Sequence, residues 1–336
     1  MKSREKDIHN KSGKAFGLKG RELSDCRKLK VSGKLKSSLL VLAAGSLWGL
    51  MGLLVRSLNA QGLGSMEICF VRSSVTFLCM LLGLLVFDRK ALRIRLKDIW
   101  CFIGTGAFSV AFFNYCYFKT MTLTSLSVAA VLLYTAPAFV MLMSAVLFNE
   151  KLSFQKLLAL ILAFAGCAFV SGIVGGAGAL SVSGILYGLG AGFGYALYSI
   201  FGRYALERSY SSVTISFYTF VFAAVSTFFF VDAGTVFGVV SSSSLLMGKT
   251  VFLVLLVTLL PYLSYTKGLN GMENGTASVL ASIEPVVATL VGVIIYKESM
   301  NFWNVLGICL VLGSIVLINV KAGRKKEVWS EKPKQE

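Results

Sequence analysis

A chain of 336 residues that is 56% hydrophobic and only 15% charged, with a mean hydropathy of +0.75, carries more apolar surface than a soluble fold of this size can bury. A bilayer is therefore its solvent, and soluble architectures are excluded. The net charge of +17 raises nucleic acid as a partner, but the placement of that charge argues for membrane topology instead.

In chain order, residues 1–36 carry twelve Lys/Arg and no sustained apolar run, which predicts a basic, disordered cytoplasmic arm. No short apolar stretch with a small-residue cleavage site follows, so the arm is not read as a signal peptide. Attraction to anionic headgroups is one use for it; passive setting of topology is the other. Beyond it, a spanning helix needs about 20 mostly apolar residues to cross a hydrocarbon core of about 30 Å. Ten segments qualify: Leu39–Leu54, Ile68–Phe87, Ile99–Phe118, Leu126–Leu147, Leu157–Val174, Gly184–Phe201, Val213–Phe230, Val251–Tyr265, Thr276–Tyr296 and Phe302–Val320. A transmembrane barrel would need alternating strands, and runs such as Val128–Leu147 do not alternate. Residues 37–175 and 181–320 then form two five-helix units, with a charged cytoplasmic tail at 321–336.

With the N-terminus in the cytoplasm, 28 Lys/Arg fall on the cytoplasmic side. Only Arg56, Lys119, Lys249 and Lys297 fall on the other, a strong positive-inside bias that places both termini in the cytoplasm of a multi-pass cell-membrane protein. Seven scattered cysteines without CxxC spacing, and a single histidine, His9, in the arm, exclude an ordinary Cys/His metal site and argue against a disulfide framework.

Sliding the sequence on itself by 148 positions superposes the fourth segment on the ninth. Ala129, Val131, Leu132, Pro137, Leu142 and Glu150 then meet Ala277, Val279, Leu280, Pro285, Leu290 and Glu298, while Tyr117 and Lys119 meet Tyr265 and Lys267. Five spans per unit is odd, so the second unit enters the membrane inverted. Inverted repeats place a substrate site near the midplane between the halves, where rocking exposes it alternately to the two sides.

The same segments, AAVLLYTAPAFVMLMSAVLFNEKLS (129–153) and ASVLASIEPVVATLVGVIIYKESMN (277–301), resemble the Ala-rich span with a mid-helix proline and an exit glutamate found in both halves of EamA-type transporters of the drug/metabolite transporter superfamily. GSLWG (45–49), Phe70 and Arg72, and GFGYALYSIFGRY (192–204) extend the resemblance over about residues 38–320. It implies an all-α integral membrane fold of ten transmembrane helices in two inverted five-helix repeats. It also implies a central cavity and export or exchange of small metabolites.

Charged side chains inside hydrocarbon cost about 2.5 to 3.5 kcal/mol on insertion scales, and two stand well inside spans, Arg72 and Glu284. Glu284 precedes Pro285 where the first unit has Ala136, so the acid departs from the repeat. It could bind a cationic amine or carry a proton; the alternative is a structural carboxylate at the proline break, or one paired with Arg72. Arg72 could hold a substrate anion, snorkel to the interface or pair with Glu67. Lys119 and Lys267 are repeat-related at opposite faces, suited to gating or anchoring, and Pro137 and Pro285 are candidate helix breaks. Glu150 and Glu298, each beside a lysine, read as helix-end stabilisers or gate pairs. Tyr195 with Tyr198, and Tyr262 with Tyr265, share helix faces at i, i+3. With Trp48, Tyr115 and Tyr134 they could line an amphipathic cavity for rings or ammonium groups, the alternative being core packing. Trp100 and Trp303 fit an interfacial belt.

The expected function is secondary transport, exporting or exchanging a small amphipathic metabolite, an amino acid or amine-bearing compound, with proton coupling possible and no cofactor or nucleic acid. A lipid-linked sugar or nucleotide-sugar translocator is the alternative within the superfamily, and a non-transporting scaffold the alternative outside it. No enzymatic constellation assembles, and GxGxxG and GxxxxGK[ST] phosphate cradles are absent.

Overall fold

The computed structural model describes residues 33–173 and 181–320, so the expected basic arm, save its last four residues, and the expected tail lie outside the described residues. Among the described residues every regular element is helical. Ten rods follow one another: α1 Gly33–Asn59, α2 Ser65–Phe87, α3 Leu96–Leu123, α4 Leu126–Leu147, α5 Phe154–Val170, α6 Val182–Glu207, α7 Ser212–Phe228, α8 Ser244–Leu269, α9 Asn274–Tyr296 and α10 Phe302–Asn319. Eight are long and apolar enough to cross a membrane; α5 and α7 have 17 residues each, at the short end of the spanning range.

Three boundaries differ from the sequence expectation. Helix α1 begins at Gly33, inside the stretch read as arm, and Ser38 in its second turn donates a hydrogen bond to Asn319 at 3.1 Å, tying it to the end of α10. After α7 the chain turns by 114° into a further short helix, Ala233–Ser241. Asp232 starts it by accepting from the Gly234 backbone at 3.0 Å and from the Thr235 hydroxyl at 2.6 Å, an N-cap that re-nucleates helix across the bend. Helix α8 is longer at both ends than Val251–Tyr265.

The rods alternate in direction. On one face, here the Glu150 face, the start of α1 meets the ends of α8 and α10 through Gly268 with Val41 and Ser38 with Asn319. There too Gln155 at the start of α5 donates to carbonyls at the end of α10. On the opposite, Glu298 face, Asn304 of α10 donates to the Val170 carbonyl at the end of α5, and Gly184 of α6 packs on Thr124 between α3 and α4.

Several local features recur at the repeat spacing. Helix α3 passes through a π-helical stretch at Gly104–Ala111 and α8 through one at Leu255–Leu259. Helices α4 and α9 both break, between Leu133 and Ala136 and between Ala281 and Glu284, and each second half starts with a residue followed by Pro137 or Pro285. Proline suits that place, since its missing N–H would be unpaired in a first turn anyway. Asn149 and Lys297 both adopt positive φ (53° and 58°) at the exits of those helices. Glu150 and Glu298 then donate their backbone N–H to Ser144 and Gly292 at 3.2 and 3.1 Å.

Helix α1 packs directly on the break in α9. A Cβ on Gly49 would lie 2.6 Å from Val287 Cβ and 2.7 Å from the Glu284 carbonyl oxygen, and one on Gly45 would lie 2.9 Å from the Ala281 carbonyl oxygen. Gly192 of α6 approaches the break in α4 in the same way, 2.9 Å from the Leu132 carbonyl oxygen. Gly49→Leu is therefore expected to destabilise by about 1–3 kcal/mol through overpacking, whereas Gly52→Ala, with nothing within 4 Å, is expected to be silent. Thermal unfolding of the purified protein in detergent compares them, and equal midpoints would mean that α1 does not sit on the break.

Candidate functional site

Because α9 breaks, Glu284 becomes the first residue of its second half-helix, where a carboxylate meets the positive end of the helix dipole. Discontinuous spans of this kind place unpaired backbone groups and a dipole end at mid-membrane depth. Tyr195 of α6 donates to the Glu284 carboxylate at 3.2 Å, and among the described residues no cation lies within ion-pair distance of it. Tyr117, Tyr134 and Cys167 stand within electrostatic reach of the same carboxylate.

Beside Glu284 the aromatic side chains close into a cage. Trp48 lies edge-on to Tyr195 and Tyr262, with centroids 6.3 and 5.3 Å away, and Tyr265 lies 5.4 Å away. Tyr198 packs on Tyr262 at 4.9 Å and Phe113 on Tyr195 at 5.5 Å. Two hydroxyls are occupied within the protein: Tyr198 bonds Thr266 at 2.6 Å and Tyr265 bonds Ser199 at 2.8 Å. Those of Tyr262, Tyr134 and Tyr117 have no protein partner among the described residues. The cage encloses about 20 Å³, room for one or two waters. That is far below the roughly 300 Å³ at which ligand pockets begin, so the cage is closed and must widen to admit a solute.

The proposed cavity residues divide on this geometry. Trp48, Tyr195, Tyr198, Tyr262 and Tyr265 come together, and Tyr134 stands near Glu284. Tyr115 does not join them: its ring packs on Tyr187 and Phe230, with the Lys119 ammonium 5.9 Å from its centroid. Arg72 turns to α8, donating from Nε to Thr258 at 3.1 Å, and forms no ion pair with Glu67 or Glu284. Lys119 and Lys267 carry no ion pair among the described residues, and Lys267 is exposed.

Cation–carboxylate pairs between the repeats use other residues. On the Glu150 face, the Glu150 carboxylate accepts the first backbone N–H groups of α9, from Asn274 at 2.7 Å and Gly275 at 3.2 Å. Arg203 of α6 approaches it at 3.9 Å while donating to the Asn274 side chain at 3.2 Å and to the Met272 carbonyl. Both side chains are largely covered, at 17% and 8% exposure. Lys156 pairs with Glu273 at 2.7 Å alongside. On the other face Arg56 pairs with Glu298 at 2.5 Å and lies over the Tyr296 ring at 3.9 Å, but both partners are about half exposed. Arg56 and Arg203 lie 147 residues apart in α1 and α6, so the two latches are repeat-related, one largely covered and one open to solvent.

The model of the EamA-like transporter family matches this chain twice, over residues 35–172 and 182–320. The chain belongs to the EamA-like transporter family. It is 27% identical over 272 residues to an uncharacterized transporter of Archaeoglobus fulgidus, covering 77% of this chain and 93% of the relative. It is 23% identical over 290 residues to the uncharacterized transporter YwfM of Bacillus subtilis, covering 86% and 95%. A solved crystal structure superposes with a TM-score of 0.69 at 18% identity, covering 84% of this chain and 96% of the other, and shows the shared fold. This EamA-family chain is thus an all-helical, multi-pass membrane transporter built of two repeats.

Proposed function

We propose that this EamA-family chain is a secondary transporter that moves a small amine-bearing metabolite through the Trp48–Tyr262 cage by alternating access, in the export direction. The observation that carries this reading is a carboxylate, Glu284, at a helix break beside an aromatic cage, with no cation among the described residues paired to it. A desolvated carboxylate lacking a cation is costly, and a ligand ammonium supplies one while the faces of Trp48 and Tyr262 attract the same charge. Arg72 and Arg203, the cations within electrostatic reach of Glu284 or the cage tyrosines among the described residues, are engaged by Thr258 and by Asn274 and Met272, so a phosphorylated solute finds little there to hold it.

Alternating access follows from the two latches. The Glu150 latch seals one face by holding the N-terminus of α9, and its repeat-related partner Glu298 makes no such bond to the N-terminus of α4. Exchanging the two arrangements opens one face as it closes the other. All ten rods cross the bilayer in this scheme, both termini lie in the cytoplasm, and the plasma membrane is the site of action. Proton exchange at Glu284 supplies the coupling.

Counterflow into liposomes loaded with a mixed amino-acid and amine pool tests the assignment. Accumulation of a labelled amine, suppressed by an excess of a quaternary ammonium compound, is expected. Accumulation only of nucleotide sugars or lipid-linked sugars would overturn the amine reading, and no accumulation of any pool would exclude all of these substrate classes.

A further inference from the structure

Away from the cage, on the Glu150 face, the loop after α2 and the turn after α6 enclose a hollow of about 450 Å³. Four cations line it, Lys90, Arg93 and Arg95 from the loop and Arg208 from the turn, against one carboxylate, Asp88, with the hydroxyls of Ser209, Ser211 and Thr214 beside Arg208. Asp98, buried behind, sets the guanidinium groups: Arg95 Nε donates to it at 2.7 Å and Arg208 forms an ion pair with it at 3.2 Å, while the Tyr210 hydroxyl donates to it at 2.8 Å. The Arg95 terminal nitrogens keep free donors. Lys90 and Arg93 have no anionic partner among the described residues.

The surroundings of the hollow point to its ligand. Val86, Phe87, Leu96 and Trp100 stand exposed immediately beside the cations. Apolar side chains and a tryptophan bordering Lys and Arg mark the level where acyl chains give way to headgroups. Fixed guanidinium groups with hydroxyl donors alongside suit phosphate oxygens. We infer that the hollow between the α2–α3 loop and the α6–α7 turn binds a phosphate group, that of an anionic phospholipid of the adjoining leaflet. One wall comes from each repeat, so the bound headgroup bridges the two halves on the face where the Glu150 latch closes.

The test is thermal unfolding of the full chain titrated with phosphatidylglycerol or phosphatidylcholine in mixed micelles, and separately with inorganic phosphate. Phosphatidylglycerol is expected to raise the midpoint and phosphatidylcholine to leave it, with the Lys90→Gln/Arg93→Gln variant binding at least tenfold more weakly. Both positions lie on a surface loop, and Lys249→Gln, on the opposite face, controls for loss of net charge. If inorganic phosphate at millimolar concentration produces the same variant-sensitive shift, the phosphate site stands and its source is a soluble ester. Equal shifts from the two lipids without a phosphate effect, or a double variant that responds as Lys249→Gln does, would overturn the site.

Discussion

Glu284→Gln is expected to lower amine counterflow by roughly tenfold to hundredfold, the worth of a hydrogen bond to a charged group lost to a neutral isostere. The fold should survive, because the amide still accepts from Tyr195 and keeps the first turn of the half-helix. The variant's residual rate should also lose its dependence on pH, since the exchangeable proton has gone. Tyr195→Phe is expected to cost less and to retain the pH dependence, because it removes one of the bonds to Glu284 but not the charge. A Glu284→Gln protein that transports as the wild type does would make the carboxylate a structural feature of the break.

How far the sequence foretold this site depends on what lies between each residue and its partner. The breaks in α4 and α9 were legible because proline announces them and the 148-residue repeat shows them twice. Glu284 stood out because its repeat partner is Ala136. Tyr115 was misread for a physical reason. It follows the π-helical stretch at Gly104–Ala111, whose wider hydrogen-bond spacing rotates everything after it relative to a regular helix. Two residues on, Tyr117 lies near Glu284, and the 148-residue repeat pairs Tyr117, not Tyr115, with the cage residue Tyr265. Tyr262 and Tyr265 escaped the problem because both follow the π segment of α8 and keep their mutual spacing. The partnership of Arg56 and Arg203 with Glu298 and Glu150 was hidden because α1 and α6 align at 147 residues rather than 148. The bend after α7 was hidden as well: Ala233–Ser241 is apolar enough to pass for the edge of a span, and only the Asp232 cap separates it.

The asymmetry of the two latches predicts unequal outcomes for chemically identical substitutions. Glu150 is largely covered and holds two backbone N–H groups of α9, so Glu150→Gln is expected to weaken that face by about 1.5–3 kcal/mol, the worth of a hydrogen bond to a charged group. Glu298 is half exposed and pairs only with Arg56, so Glu298→Gln should cost about 0.2–1 kcal/mol. A shift of that size moves a two-state equilibrium by roughly one to two decades, enough to exchange which face is closed. Hydrogen exchange resolves this from a merely local effect. Losing the carboxylate raises exchange at Asn274 and Gly275 in either case, but only a coupled swing to the alternate arrangement also slows exchange at the N-terminus of α4, at Leu126 and Ser127, as Glu298 takes up those amides. In Glu298→Gln neither end is expected to change by more than a few fold. Faster exchange at Asn274 with no change at Leu126 would reduce Glu150 to a helix cap and remove the reciprocal switch.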